Sequence, residues 1–135
     1  MLDDELTGAI LGACFEVINE LGAGFLESVY EKALLIALRD KGLNVASQVP
    51  IPVLFRGQPV GEFFADLLVQ GRIIVELKAV KNIVPEHMAQ VINYLKATGI
   101  ATGLLINFGN PKLEYRRFSN RTDNLYSQGC TGYTG

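Results

Sequence analysis

Residues 64–78 constrain this chain more than any other stretch, because they are apolar and yet include three charged side chains. Two apolar runs flank a Gly-containing turn, which is typical of two β-strands joined as a hairpin. Asp66 lies in the first run, and Glu76 and Lys78 lie in the second. Burying a charge is costly unless the charge is paired or binds a metal ion. The stretch therefore predicts either a salt bridge or an ion-binding site within a buried hairpin.

The length of the turn decides whether the two acids meet. Directly opposed residues of antiparallel strands lie on the same face of a sheet. A loop of residues 70–71 would place Asp66 opposite Val75 and turn Glu76 to the other face. A loop of residues 70–72 would place Asp66 opposite Glu76, and hairpin loops of this longer kind with a left-handed Gly are common. A metal site therefore requires the longer loop, or a β-bulge that shifts the register.

Two carboxylates and a lysine are the groups that metal-assisted hydrolysis of a phosphodiester needs. Hard divalent ions such as Mg²⁺ take oxygen ligands at roughly 2.0–2.1 Å, and the Leu77 carbonyl is a further candidate ligand. The metal would polarise the phosphate and lower the pKa of a bound water. Lys78 shares a face with Glu76 and would position that water or counter charge developing on the phosphate. The simpler alternative is a buried salt bridge between Asp66 and Lys78.

Two predicted helices carry side chains that could join this cluster. Gln90 and Tyr94 lie four residues apart and therefore share a helix face. Glu27 lies in the first turn of a helix that follows the break at residues 22–24. Glu27 is either a third carboxylate at the metal site or an acid that interacts with the helix dipole. We interpret His87, the only histidine, as a helix-start residue rather than as a general base.

The hydrophobic pattern predicts one domain over residues 1–118, followed by a polar, Gly-rich tail over residues 119–135. Helices are predicted at 3–20, 26–39 and 85–98, and strands at 48–55, 60–69, 72–80, 102–108 and 112–118. Nearly continuous apolar runs in the second and third strands predict a sheet covered on both faces. A strand meander followed by a helical crossover predicts an α/β fold with a mixed sheet flanked by helices.

Charge distribution, cysteine content and hydropathy limit the classes of partner and the cellular locations that fit this chain. The net charge is −2, but residues 1–40 hold eight acids and two bases, whereas residues 71–121 hold eight bases and three acids. This asymmetry predicts either one basic face or scattered solvated charges. Cys14 and Cys130 have neither disulfide-framework nor zinc spacing, which favours free thiols in a reducing cytoplasm. No apolar run approaches the roughly 20 residues of a membrane helix, and the acidic N-terminus lacks the basic start of a signal peptide.

The motifs together resemble those of the GxxExxY family, a group assigned to the PD-(D/E)XK nuclease-like superfamily. Residues 24–30, GFLESVY, match the signature, and the Asp, ExK and QxxxY motifs follow at the expected places between Leu6 and Phe118. The resemblance implies a restriction-endonuclease-like core of αβββαβ order with Mg²⁺ or Mn²⁺ as cofactor. It implies an active site formed by Glu27, Asp66, Glu76, Lys78, Gln90 and Tyr94. The metal ligands would be Glu27, Asp66 and Glu76, and Ala65 stands where the superfamily has its proline.

The sequence therefore predicts a divalent-metal-dependent nuclease that acts on nucleic acid, with DNA favoured over RNA. The alternative is a catalytically silent module of the same fold that binds nucleic acid or a protein. Pairing of exposed apolar residues into a homodimer is also open. No membrane partner is expected.

Overall fold

The computed structural model describes residues 2–120, and the helices and strands of that part of the chain follow the predicted order. They are α1 (Asp3–Leu21), α2 (Glu27–Asp40), β1 (Val45–Phe55), β2 (Gln58–Val69), β3 (Ile73–Lys78), α3 (Pro85–Thr98), β4 (Thr102–Asn107) and β5 (Glu114–Ser119). Ser119, which the sequence assigns to the tail, is paired with Thr102 in the sheet. The rest of the predicted tail, apart from Asn120, lies outside the described residues.

The strands form a single mixed sheet in the order β1-β2-β3-β4-β5. The β3–β4 pair is parallel and the other pairs are antiparallel, because α3 carries the chain across the sheet between β3 and β4. Helices α1 and α2 pack on one face, in a cluster that contains Ile10 and Leu34. Helix α3 packs on the opposite face, in a cluster that contains Val91 and Leu95. This is the predicted α/β fold with helices on both faces.

Strand β3 is buried along its length, as its apolar run predicts. The same prediction is wrong for residues 60–64 of β2, which are exposed. Regular β2–β3 pairing is confined to residues 67–69 of β2, so the first half of β2 extends past β3 as a hairpin arm with β1. The arm turns at Arg56 and Gly57, which have φ of 53° and 76°, and Phe55 pairs with Gln58 on either side of this two-residue turn.

Two strand ends differ from the prediction for identifiable reasons. Strand β1 begins three residues early, because residues 45–47 pair with the end of β2. Strand β3 ends at Lys78 because the Asn107 side chain binds the backbone of Val80. The Val80 amide donates to Asn107 Oδ1 at 3.0 Å, and Asn107 Nδ2 donates to the Val80 carbonyl at 2.9 Å.

The regular alternation of faces breaks halfway along β2. Ala65 packs in the α3-side cluster, whereas Leu67 packs in the α1–α2 cluster, although residues two apart on a regular strand share a face. Strand β1 has a matching irregularity at Gln48, whose φ is 51°. Gln48 lies between Ser47 and Val49, which pair with Leu67 and Ala65. The break therefore crosses both strands at the level of Asp66.

Within residues 2–120, no helix is long and apolar enough to cross a membrane.

Candidate active site

The turn between β2 and β3 has the longer of the two lengths considered from sequence. Leu67 pairs with Val75 and Val69 pairs with Ile73, which leaves residues 70–72 as the loop. Gln70 and Gly71 both have positive φ, 55° and 65°. Continuing this register places Asp66 opposite Glu76, so the condition for a shared carboxylate site is met.

The two carboxylates replace the sheet hydrogen bonds where regular β2–β3 pairing ends. The Asp66 amide donates to Glu76 Oε1 at 2.8 Å, and the Leu77 amide donates to Asp66 Oδ2 at 2.8 Å. Each strand therefore holds the carboxylate of the other. Among the described residues, Glu76 Oε2 accepts no hydrogen bond, and Asp66 Oδ1 has one long contact, 3.4 Å from Gln48 Nε2. One oxygen of each acid is thus fixed by backbone, and the second is available to a ligand.

The electrostatics of this pair favour a cation. Asp66 is 9% exposed and Glu76 is 3% exposed, so water solvates their charges poorly. Burial, reinforced by the charge of Asp66, raises the pKa of Glu76 to about 8. Burial also raises the pKa of Asp66, against the opposing effect of its Leu77 hydrogen bond. A hard divalent ion, which prefers carboxylate oxygens, would relieve both the poor solvation and the mutual repulsion. The donor set therefore fits such an ion.

Lys78 is half-buried and lies on the same face of β3 as Glu76. Within residues 2–120 its ammonium group makes no direct ion pair, so the buried Asp66–Lys78 salt bridge considered from sequence is not formed. Its charge nevertheless lowers the pKa values of Asp66 and Glu76. The backbone of Lys78 is held by β4, because its carbonyl accepts a 2.8 Å hydrogen bond from the Phe108 amide. Lys78 is thus held by its backbone beside two acids, and its side chain forms no direct ion pair within residues 2–120.

Helix α3 brings the predicted Gln90 and Tyr94 to the same cluster. Gln90 Nε2 donates to the Tyr94 hydroxyl at 2.9 Å, and Tyr94 is 4% exposed. Burial raises the pKa of Tyr94, and the negative charge of Glu76 raises it further. Tyr94 therefore stays protonated and can donate a hydrogen bond towards the carboxylates or a ligand.

Comparison with known proteins identifies the family of the chain. The sequence profile of the PD-(D/E)XK nuclease superfamily matches residues 4–118. The chain belongs to this superfamily. Nucleases of the PD-(D/E)XK superfamily typically use divalent metal ions. Comparison with curated proteins found no match.

Two solved structures are similar to this superfamily member. The crystal structure of SSO0001 has a TM-score of 0.56 and 16% identity, over 77% of this chain and 57% of that chain. An alkaline exonuclease from Laribacter hongkongensis has a TM-score of 0.48 and 16% identity, over 70% of this chain and 56% of that chain. The chain spans less than two thirds of the length of either structure. The first of these likenesses supports the restriction-endonuclease-like fold and nothing finer.

Glu27 lies at the edge of the candidate site, in the first turn of α2. Burial raises its pKa, the charge of Asp66 raises it further, and the charge of Lys78 lowers it, so the three groups interact. Yet no three His, Cys, Asp or Glu side chains of the described chain are close enough to hold a metal ion. Glu27 is therefore not assembled with Asp66 and Glu76 into a set of three metal ligands in this structure, and its role as a ligand stays a prediction.

The tyrosine of the GFLESVY segment has a structural role. Tyr30 is fully buried and stacks on Phe108 with ring centroids 4.7 Å apart. Its hydroxyl donates to the Gly22 carbonyl at 2.6 Å and accepts from the Phe25 amide at 3.1 Å. Tyr30 thereby fixes the segment that leads into α2, and so the position of Glu27 at the start of that helix.

One polar residue at the site was missed by the sequence analysis. Gln48 Nε2 donates to both carboxylate oxygens of Glu31 at 3.1 Å and approaches Asp66 Oδ1 at 3.4 Å. Its positive φ of 51° is unusual for a residue with a side chain and marks backbone strain of the kind found at functional sites. The only sequence signal was a glutamine among the apolar residues of an edge strand. His87, by contrast, behaves as interpreted, since its Nδ1 accepts a hydrogen bond from the Val84 amide at the start of α3.

Proposed function

We propose that the chain is a divalent-metal-dependent nuclease that hydrolyses phosphodiester bonds of nucleic acid, with DNA favoured over RNA. The observation that carries the proposal is the reciprocal hydrogen bonding of Asp66 and Glu76. This arrangement leaves one oxygen on each of two poorly solvated, interacting carboxylates free of backbone hydrogen bonds, beside a lysine that forms no ion pair within residues 2–120. A fold that needed these acids only for its own stability would be expected to pair them directly with a cationic side chain, because unpaired buried charges are costly.

The ion we propose is Mg²⁺ or Mn²⁺, held by Asp66 and Glu76, with Glu27 as the third carboxylate. Such an ion, when bound, polarises a phosphate oxygen and lowers the pKa of a coordinated water. Gln48 would orient the free oxygen of Asp66 towards the ion.

The remaining residues act on the substrate through charge and hydrogen bonds. The Lys78 ammonium group would donate hydrogen bonds to a non-bridging phosphate oxygen and offset the negative charge that develops there. Tyr94, kept protonated by its burial and by the charge of Glu76, would donate a hydrogen bond to a neighbouring oxygen. Gln90 holds the Tyr94 hydroxyl and so restricts its orientation.

The test is a cleavage assay on single- and double-stranded DNA and RNA with Mg²⁺, Mn²⁺ and no metal. We expect cleavage that requires metal and that Lys78→Met reduces at least about 100-fold, within the range of lost electrostatic stabilisation of a transition state. Lys81→Met is the matched control, since Lys81 is an exposed lysine three residues away. The proposal is wrong if no substrate is cut with either metal, or if both lysine variants cleave like the wild type.

A second candidate is a silent binding module of the same fold, acting alone, as a homodimer or with a protein partner. The absence of a three-residue ligand cluster among residues 2–120 favours it. Asp66→Asn separates the two candidates, because the amide keeps the shape of the side chain and removes its charge. Lost cleavage with unchanged folding supports the nuclease. The binding module is supported if the wild type does not cleave and if the wild type and Asp66→Asn bind nucleic acid with equal affinity.

We also place the protein in the reducing cytoplasm. Cys14 is a free, fully buried thiol, and burial raises its pKa. A thiol in such surroundings is inert to oxidation and disulfide exchange, which is compatible with a reducing compartment; Cys130 lies outside the described residues.

A further inference from the structure

A cavity of about 480 Å³ adjoins the candidate active site between the hairpin arm and α3. Val53 and Phe63 line it from the arm, and Gln90, Asn93 and Tyr94 line it from the helix. Its volume lies within the roughly 300–1,000 Å³ of small-ligand pockets. Gln90 and Tyr94 belong to the site as well as to the cavity, so the two spaces share a wall.

The chemistry of the lining selects a neutral ligand. Among residues 2–120, no lysine or arginine lines the cavity, and Glu86 is the one lining residue with a formal charge, since His87, which also lines it, is counted as neutral. A phosphate or another anion would therefore find no counter-ion here. The amide side chains of Gln90 and Asn93 offer both donors and acceptors. An uncharged ligand with hydrogen-bond donors and acceptors along one edge would pair with these amide side chains.

The aromatic wall selects a flat ligand. Phe63 is 51% exposed, and its ring centroid lies 6.0 Å from that of Tyr94 at an interplanar angle of 41°. Because Tyr94 is buried, the exposed ring of Phe63 is the surface available for stacking. Aromatic side chains of this kind stack successive bases in proteins that bind single strands, with little dependence on sequence.

We propose that this cavity binds one nucleobase of a single-stranded nucleic acid, stacked on Phe63 and hydrogen-bonded by Gln90 and Asn93. The inference rests on the proposed function, because the phosphate attached to the same nucleotide would lie beside Glu76 and Lys78. Tyr94 lies between the two, since it lines the cavity and the charge of Glu76 acts on its hydroxyl. A paired base in a duplex cannot enter, so the cavity favours single-stranded or unpaired nucleotides.

The test is a binding measurement without divalent metal, so that no strand is cut. Fluorescence anisotropy compares a labelled thymidine strand of about 12 nucleotides, a length within the usual site sizes, with a strand of the same length that carries only abasic sugars. We expect the wild type to bind the thymidine strand at least about fivefold more tightly. Phe63→Ala should remove that difference, because loss of one base–aromatic stack weakens binding by about 5- to 150-fold.

Phe64→Ala is the matched control. Phe64 is 49% exposed, is adjacent on the strand and therefore points to the opposite face, and does not line the cavity. The Phe64→Ala variant should bind both strands with the affinity of the wild type. Ala89→Leu supplies a second variant, since Ala89 is an exposed helix residue on the cavity wall and leucine fills the space without opposing the helix. Ala89→Leu should weaken binding of the thymidine strand and leave binding of the abasic strand unchanged.

Equal affinity of the wild type for both strands, or equal effects of the two phenylalanine variants, would overturn the base pocket. That result leaves the nuclease proposal intact if the wild type still cleaves with metal. Conversely, selective binding of the thymidine strand with no cleavage under any metal would support the pocket and reject the nuclease. The two failures are therefore distinguishable.

Discussion

Glu76→Gln should increase the stability of the metal-free protein at alkaline pH. Burial and the charge of Asp66 raise the pKa of Glu76 from its ordinary 4.5 to about 8. Between these values the folded protein keeps a proton that the unfolded chain has released, so the stability of the wild type falls as pH rises. The loss is on the order of 1 kcal/mol per pH unit, or about 3 to 5 kcal/mol across the window. The glutamine has no charge to desolvate and can still accept the Asp66 amide hydrogen bond.

The assay is chemical and thermal unfolding of both proteins in chelator at about pH 5 and about pH 8. At the lower pH the two should be similar. At the higher pH the variant should unfold at least about 5 °C above the wild type, taking about 2–4 °C per kcal/mol for a domain of this size. Glu86→Gln is the matched control, because Glu86 is exposed on α3 and should show no such difference.

A wild-type stability that stays level or rises over this range would refute the reasoning. So would a Glu76→Gln variant that is less stable than the wild type at the higher pH. Either result would mean that Glu76 is already neutralised by its surroundings. The carboxylates would then have no uncompensated charge for a bound cation to stabilise.

Further predictions concern metal, the newly found glutamine and the packing behind the site. Saturating Mn²⁺ should raise the melting temperature of the wild type at about pH 8 by an amount equivalent to about 3 kcal/mol at 100-fold excess over Kd. It should leave Glu76→Gln unchanged, as differential scanning fluorimetry would show. Gln48→Ala should weaken Mn²⁺ binding about tenfold in calorimetry, because Asp66 Oδ1 loses its hydrogen-bond donor; an unchanged Kd would remove Gln48 from the site. Gly109→Ala should destabilise the fold by at least about 3 kcal/mol in urea unfolding, because a Cβ atom there would clash with the Val80 carbonyl oxygen.

Much of the fold could be predicted because its signals are local. Helix α3 begins with a proline and ends at Gly99, which adopts the left-handed conformation expected of a C-terminal glycine. The hairpin loop at 70–72 was one of two alternatives, and the structure selects the one that brings the acids together. By contrast, the end of β3 at Lys78 depends on the side chain of Asn107, a contact between distant parts of the chain that no local pattern reveals.

Most members of the candidate site could be predicted from the sequence, but their arrangement could not. Asp66 and Glu76 could be identified because charged residues within apolar strands need a partner. Their reciprocal bonds to backbone amides could not, because these depend on the break in face alternation between Ala65 and Leu67. Gln48 was missed for the same reason. Its contact with Asp66 requires a positive φ, and a glutamine in the sequence does not indicate a positive φ.

The most direct test of the account is anomalous diffraction from crystals soaked in Mn²⁺. The account predicts a manganese peak between Asp66 Oδ1 and Glu76 Oε2, with oxygen ligands at roughly 2.0–2.3 Å, and no such peak in crystals of Glu76→Gln. Well-ordered crystals of the wild type that show both carboxylates but no manganese between them at saturating concentration would contradict it.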